Sequence, residues 1–307
     1  MDAKDVRIFC EIALRDLSYN ATTQRHVSPT EIGRKVGLDE KTVRARIGKM
    51  EEAGFIKYYQ AMPSLALLGM GFLSLFRFEA ANIVTKHKVI QLVQQTPHLV
   101  EVVDYLGPTV SIDIAGESAE SVSSAADSIA GRYELTRLNL GMRTIRDPQV
   151  KMDRLDWELV QKLRYDARMS TTVIANSLEI TPRMAEYRIE KLLDAGALLI
   201  RAVINTQKQA GLIFYELELP VEESKRNQVV ERLRKLHGEK LWNVTYPAPG
   251  MVLASLFGFT LGEPEASALE ASEFEGVKYC HLYVLKEVLE PMKSNWVDNF
   301  IAQKIAL

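Results

Sequence analysis

The feature that most constrains this chain is that it repeats itself. Ser28–Ile56 reads SPTEIGRKVGLDEKTVRARIGKMEEAGFI, and Ser170–Leu198 reads STTVIANSLEITPRMAEYRIEKLLDAGAL. At a gapless offset of 142, Ser28, Ile32, Arg46, Ile47, Lys49, Ala53 and Gly54 meet identical residues. Val36, Leu38, Val43 and Met50 meet other apolar ones. An apolar alternating run follows each unit, in Ala61–Phe78 and in Gly211–Val221. Two copies of one plan are therefore predicted, near 1–147 and 148–307, with the break in the polar, proline-bearing Arg146–Asp153. Extra residues around Ser18–His26 in the first copy read as a longer surface loop.

Within a copy the periodicity changes in a set order. Asp5–Leu17 and Asp156–Arg164 carry apolar residues at helical spacing. Ser28, Pro29 and Glu31 form a capping-box start for a helix over Ser28–Val36, and Gly37 stops it. Asp39 then caps a helix over Glu40–Ala53, which ends at Gly54. Two short helices around Gly-Leu-Asp make a helix-turn-helix. In the second copy Thr181-Pro182 opens the later helix, while Glu179 replaces Gly37 and makes a poorer turn. Phe55–Gln60 (FIKYYQ) reads as a wing strand.

The remainder of each copy reads βαββαβ, the split βαβ order. Strands are predicted at Phe72–Glu79, Leu99–Tyr105, Val110–Ala115 and Leu135–Thr144, with helices at Ile83–Gln95 and Ala119–Gly131. Their counterparts are Leu212–Pro220, Leu241–Tyr246, Val252–Phe259 and Val277–Leu285, with helices at Glu223–His237 and Glu263–Glu273. A last helix spans Pro291–Ile305. The fold class is α+β: winged helix-turn-helices over 1–60 and 148–205, and ferredoxin-like βαββαβ domains over 61–147 and 206–307.

Charge narrows the function. The chain has 38 Lys+Arg against 40 Asp+Glu, a net charge of −2, which excludes a broadly basic nucleic-acid coat. Residues 28–60 nevertheless hold seven Lys/Arg and five Asp/Glu, a local balance of +2. If Val43, Ile47 and Met50 face inward, Lys41, Arg44, Ala45 and Gly48 face outward, with Arg46 and Lys49 on the flanks. Small residues at 45 and 48 let that face approach a groove, and Lys41 and Thr42 lie near the helix N-terminus, where recognition helices meet base edges. Arg34, Lys35 and Lys57 suit phosphate contacts. The second copy offers Arg183, Arg188 and Lys191, but residues 170–205 balance to zero and Glu186 replaces Arg44. This copy either binds DNA weakly or only holds a dimer together.

The helix-turn-helix with Asp39–Lys57, the later Gly69 and the βαββαβ order together resemble the Lrp/AsnC family of prokaryotic transcription regulators. The resemblance implies a DNA-binding regulator with an effector domain of the RAM type and pairing through the sheet domains. Family members usually hold one copy per chain, so two fused copies could imitate a dimer internally or could pair into a homodimer. It also implies an amino-acid or other small-molecule effector site at a glycine turn followed by an Asp, matched here by Gly107 and Asp113.

Other chemistries find little support in the residues. Cys10 and Cys280 cannot build a disulfide framework and read as reduced thiols of a cytoplasmic protein. No signal peptide is expected, and the uncharged run Ala61–Phe76 is too short to cross a bilayer. The five histidines lack metal spacing, and Walker A and GxSxG motifs are missing. The expectation is a regulator with no catalytic step, cofactor or metal. Two alternatives stay open. Siroheme decarboxylases share the two-part layout and would need His and Arg facing a tetrapyrrole. A pure interaction protein is the other.

Overall fold

Capping decides where the helices begin. The computed structural model describes residues 1–13, 28–208, 211–289 and 295–307; the predicted Ser18–His26 loop, His26 and the start of the last predicted helix lie outside the described residues. Helix α1 covers Ala3–Ala13. Helix α2 (Pro29–Val36) starts where the Ser28 hydroxyl accepts the Glu31 N–H, and α3 (Glu40–Glu52) where Asp39 accepts the Thr42 N–H at 2.8 Å. The later helices α6 (Arg154–Leu163), α7 (Thr171–Ser177) and α8 (Pro182–Asp194) repeat this pattern, with Asp153, Ser170 and Thr181 as caps.

The turns between paired helices differ in one residue. Gly37 takes φ 68°, and Glu179, its counterpart, takes φ 55°. A side chain in the left-handed region costs about 1–2 kcal/mol, which glycine avoids. Glu179→Gly is therefore expected to raise stability by up to about 1 kcal/mol, since glycine also loosens the unfolded chain. The check is the urea midpoint, with an unchanged slope.

Strand β1 (Ile56–Pro63) forms where the wing was expected, but not as a local hairpin. Its partner is β6 (Leu198–Ile204), which starts 142 positions further along the chain, with Tyr59 opposite Ala202 and Gln60 opposite Arg201. The Arg201 guanidinium donates to the Gln60 side-chain oxygen at 3.2 Å, sealing the ribbon. A strand with unpaired edges needs a partner, and an equal β-prone strand supplies it better than the short chain beyond.

The sheet elements follow the predicted order: β2 (Phe72–Glu79), α4 (Ile83–Val93), β3 (Leu99–Tyr105), β4 (Thr109–Gly116), α5 (Ala119–Tyr133) and β5 (Thr136–Thr144), then β7 (Ile213–Pro220), α9 (Arg226–His237), β8 (Leu241–Thr245), β9 (Met251–Gly258), α10 (Gly262–Ser272) and β10 (His281–Leu289). Helix α11 (Trp296–Ala306) ends the chain. The eight strands make one sheet in the order β5-β2-β4-β3-β10-β7-β9-β8, so each half keeps its own fourth-first-third-second arrangement and β3 joins β10. That junction explains why β10 ends four residues beyond its predicted end. Residues 281–284 pair with β7, and 285–289 go on to pair with β3.

The elements gather into two compact units. One holds both sets of sheet strands and their helices, within Phe72–Arg143 and Thr206–Pro291; the other holds both helix-turn-helices, within Ile8–Gly71, Thr144–Asn205 and Met292–Leu307. In the sheet unit, one apolar cluster packs Phe76, Val102 and Ile112 under Val89 and Ile129, and a second packs Leu217 and Val252 under Val229 and Leu233. No described helix is long and apolar enough to cross a membrane.

Candidate functional site

The first helix-turn-helix presents one basic face because its other face is consumed by packing. Val43, Ile47 and Met50 are buried, as the spacing predicts, which leaves Lys41, Arg44, Ala45 and Lys49 exposed and Thr42, Arg46 and Gly48 half-exposed. Thr42 also donates its hydroxyl to Asp39 at 2.6 Å. That bond and the Thr42 N–H hold the Asp39 carboxyl below the usual range, so the cap stays ionised at neutral pH. Arg44 pairs with Glu40 at 2.8 Å across one helical turn. Such an exposed, solvent-screened pair is weak, so a phosphate can draw Arg44 away from it. Arg34 is exposed on α2, and Lys57 is exposed on β1 beside the register shift between Ile56 and Tyr58.

Two predicted contacts are engaged inside the protein. Lys35 pairs with Glu11 of α1 at 2.9 Å, fastening α2 to the first helix rather than reaching outward. Arg188 on α8 grips Asp153 at 2.8 Å and buried Asp156 at 2.7 Å, tying α8 to the start of α6. The sequence offered Lys35 for a phosphate and Arg188 as a basic residue of the second copy; it could not show that an acidic side chain from another helix meets each of them. Arg183 and Lys191 are exposed on α8, but so are Glu186, Glu190 and, at 66%, Tyr187.

The sheet unit contains a charged cluster that sequence reasoning missed. Arg77 of β2 is fully buried. Its guanidinium donates to Glu216 of β7 at 2.7 Å, to Glu218 of the same strand, and to the Tyr105 hydroxyl at 3.1 Å. Tyr105 in turn donates to Glu216 at 2.6 Å, and the Tyr283 ring lies 3.8 Å from the guanidinium carbon. In sheet order four strand spacings separate β2 from β7, about 19 Å if flat. That is beyond an arginine's reach, so the sheet curls on itself and encloses this face. The signal was present in the letters: Arg77, Glu216 and Glu218 are charges at alternate positions inside otherwise apolar strands.

The predicted effector residues part company. Gly107 is the β3–β4 turn at φ 82°, with open space around it. Asp113 lies on β4, where burial pushes its carboxyl well above the usual range and Glu101 adds to the shift. The electrostatic partners of Asp113 include Glu216 and Arg77, so it belongs to the surroundings of the enclosed cluster rather than to the turn.

Comparison with known proteins adds to this geometry. A family model described as winged helix-turn-helix DNA-binding matches residues 24–57. An HTH-type transcriptional regulator of Pyrococcus furiosus is 38% identical over 72 residues, 24% of this chain and 44% of that protein. The proline dehydrogenase transcriptional activator of Rhodobacter capsulatus is 44% identical over 70 residues, 23% of this chain and 40% of that one. The match thus spans less than half of either relative. The crystal structure of the siroheme decarboxylase NirDL overlays 99% of this chain and 98% of its own with a TM-score of 0.55, at 13% identity.

Residues 24–57 are thus a winged helix-turn-helix DNA-binding module of the kind that transcription regulators carry. The expectation of a protein without a catalytic step is corrected. A solved structure that shares this fold across nearly the whole chain is that of an enzyme, whereas the regulator matches are partial. The residues alone hid this because a fold does not announce whether its interior does chemistry.

Proposed function

We propose that this protein is a sequence-specific DNA-binding transcription regulator of the cytoplasm, in which the first helix-turn-helix reads the duplex. The observation that carries this reading is the exposed basic face of α3, backed by its buried Val43–Ile47–Met50 stripe. Lys41, Thr42 and Ala45 approach base edges, while Arg34, Arg44, Arg46, Lys49 and Lys57 neutralise phosphates. Glu186 and Glu190 repel phosphates, so Arg183 and Lys191 add little.

The β1–β6 ribbon links both helix-turn-helices within one chain, which favours an internal pseudo-dimer over paired chains. Light scattering is expected to give the mass of one chain. Fluorescence anisotropy with a random duplex tests the division of labour. Arg44→Ala is expected to weaken binding several-fold and Arg183→Ala to leave it nearly unchanged; equal losses would mean that both heads bind.

The fold shared with a siroheme decarboxylase favours a second reading, in which the sheet unit handles a tetrapyrrole. Arg77 is a buried cation of the kind that would meet tetrapyrrole carboxylates, yet it is already neutralised by Glu216 and Glu218. Added siroheme or haem should shift its Soret band if this reading holds, and an unshifted band rejects it.

A further inference from the structure

The last turn of α3 is held by residues from far along the chain. Glu51 stands in that turn, where a carboxylate meets the negative end of the helix dipole. Two groups engage it. The Tyr59 hydroxyl of β1 donates to it at 2.7 Å, and the Arg168 guanidinium reaches the same oxygen from the segment between α6 and α7. Arg168 also lies over the Tyr59 ring, its guanidinium carbon 4.8 Å from the centroid. One residue earlier, the Ala167 N–H donates to the Tyr59 carbonyl at 3.0 Å. Tyr165 meets Tyr58 edge-on, with ring centroids 6.1 Å apart. Burial pushes the Tyr59 phenol above its ordinary value and the Glu51 carboxylate adds to the shift, so the hydroxyl remains a donor.

These contacts form one clasp over the two elements that carry the basic face. Lys49 stands two residues before Glu51 on α3, and Lys57 two residues before Tyr59 on β1. The Arg168–Glu51 pair is half-exposed and would be weak alone. Its effect comes from being joined to the rest: one guanidinium engages both Glu51 and the Tyr59 ring, and the Ala167 backbone bond fixes where that side chain starts. The clasp has no match on α8. At 142 positions beyond Glu51 stands Leu193, which is buried and offers no carboxylate to grip.

We propose that Arg168 is a positioning residue for DNA reading: it holds the last turn of α3 and strand β1 at the angle from which Lys49 and Lys57 reach phosphates together. The chain around the second pair of helices then serves the first as a brace, without reading DNA itself. The proposal rests on the reading of α3 as the DNA-contacting helix.

Fluorescence anisotropy with a random duplex tests it through the cost of Lys49→Ala. In the parent that substitution is expected to weaken binding about fivefold. With Arg168→Ala already in place the cost should fall below about twofold, because residues acting through one arrangement do not add. Tyr59→Phe changes no charge and removes only the hydroxyl that holds Glu51. It should weaken binding about twofold and shrink the Lys49→Ala cost as well. Both variants should still melt cooperatively. A residue that only stabilises the fold would leave the Lys49→Ala cost unchanged, and an Arg168 that touched phosphate directly would add its own loss to it. An undiminished cost in both variants therefore overturns the proposal, as does no cost in the parent. The α3 reading itself falls only if Lys41→Ala/Arg44→Ala costs nothing as well.

Discussion

Arg77→Ala is expected to destabilise the sheet unit by about 3–5 kcal/mol, the cost of leaving buried charge without its partner. Arg77 is fully buried, and Glu216 and Glu218 have side chains only 17% and 10% exposed, so water cannot take over its role. The melting temperature should fall on the order of 10 °C. A combined Arg77→Met, Glu216→Leu, Glu218→Leu variant should recover most of the loss, since apolar groups of similar volume often replace a buried charge cluster at little cost. Thermal melts of the three proteins decide the matter. A single variant as stable as the parent would mean that the enclosed cluster contributes nothing to the fold.

Gly141→Ala should be comparably damaging for a steric reason. Gly141 of β5 has φ 157°, and a Cβ built there would stand 1.7 Å from the Pro247 carbonyl oxygen in the β8–β9 connection. The obstacle is backbone, so no rotamer change relieves it. Strand β5 and strand β8 lie at opposite ends of the sheet order, and they meet only because the sheet curls. Alanine at 141 therefore pushes apart the two ends of the curl. A loss of about 3 kcal/mol or more is expected, within the range of severe steric and backbone lesions. Chemical denaturation measures it, and a change below about 0.5 kcal/mol would show that the ends do not touch.

Much of this fold was legible in the letters. Ser28, Asp39 and Thr181 announce three helix starts because capping is local chemistry, and each accepts an N–H three residues on. Phe72–Glu79 and Leu99–Tyr105 were bounded correctly because alternation and flanking turns are local as well. The pairing of β1 with β6 and of β3 with β10 was not legible, since partner choice between distant strands leaves no mark in either one. The same limit governed the candidate site. The buried stripe of α3 fixed which residues face out, but Lys35 and Arg188 are engaged by Glu11, Asp153 and Asp156, acids 24, 35 and 32 positions away.

The reading of α3 as the DNA-contacting helix is tested most directly by the salt dependence of duplex binding, parent against Lys41→Ala/Arg44→Ala. Each phosphate contact contributes about one unit to the slope of log affinity against log salt. The double variant should bind more weakly at every salt concentration, with a slope shallower by up to about two units. Identical affinities and slopes, or no binding by the parent at low salt, would contradict it.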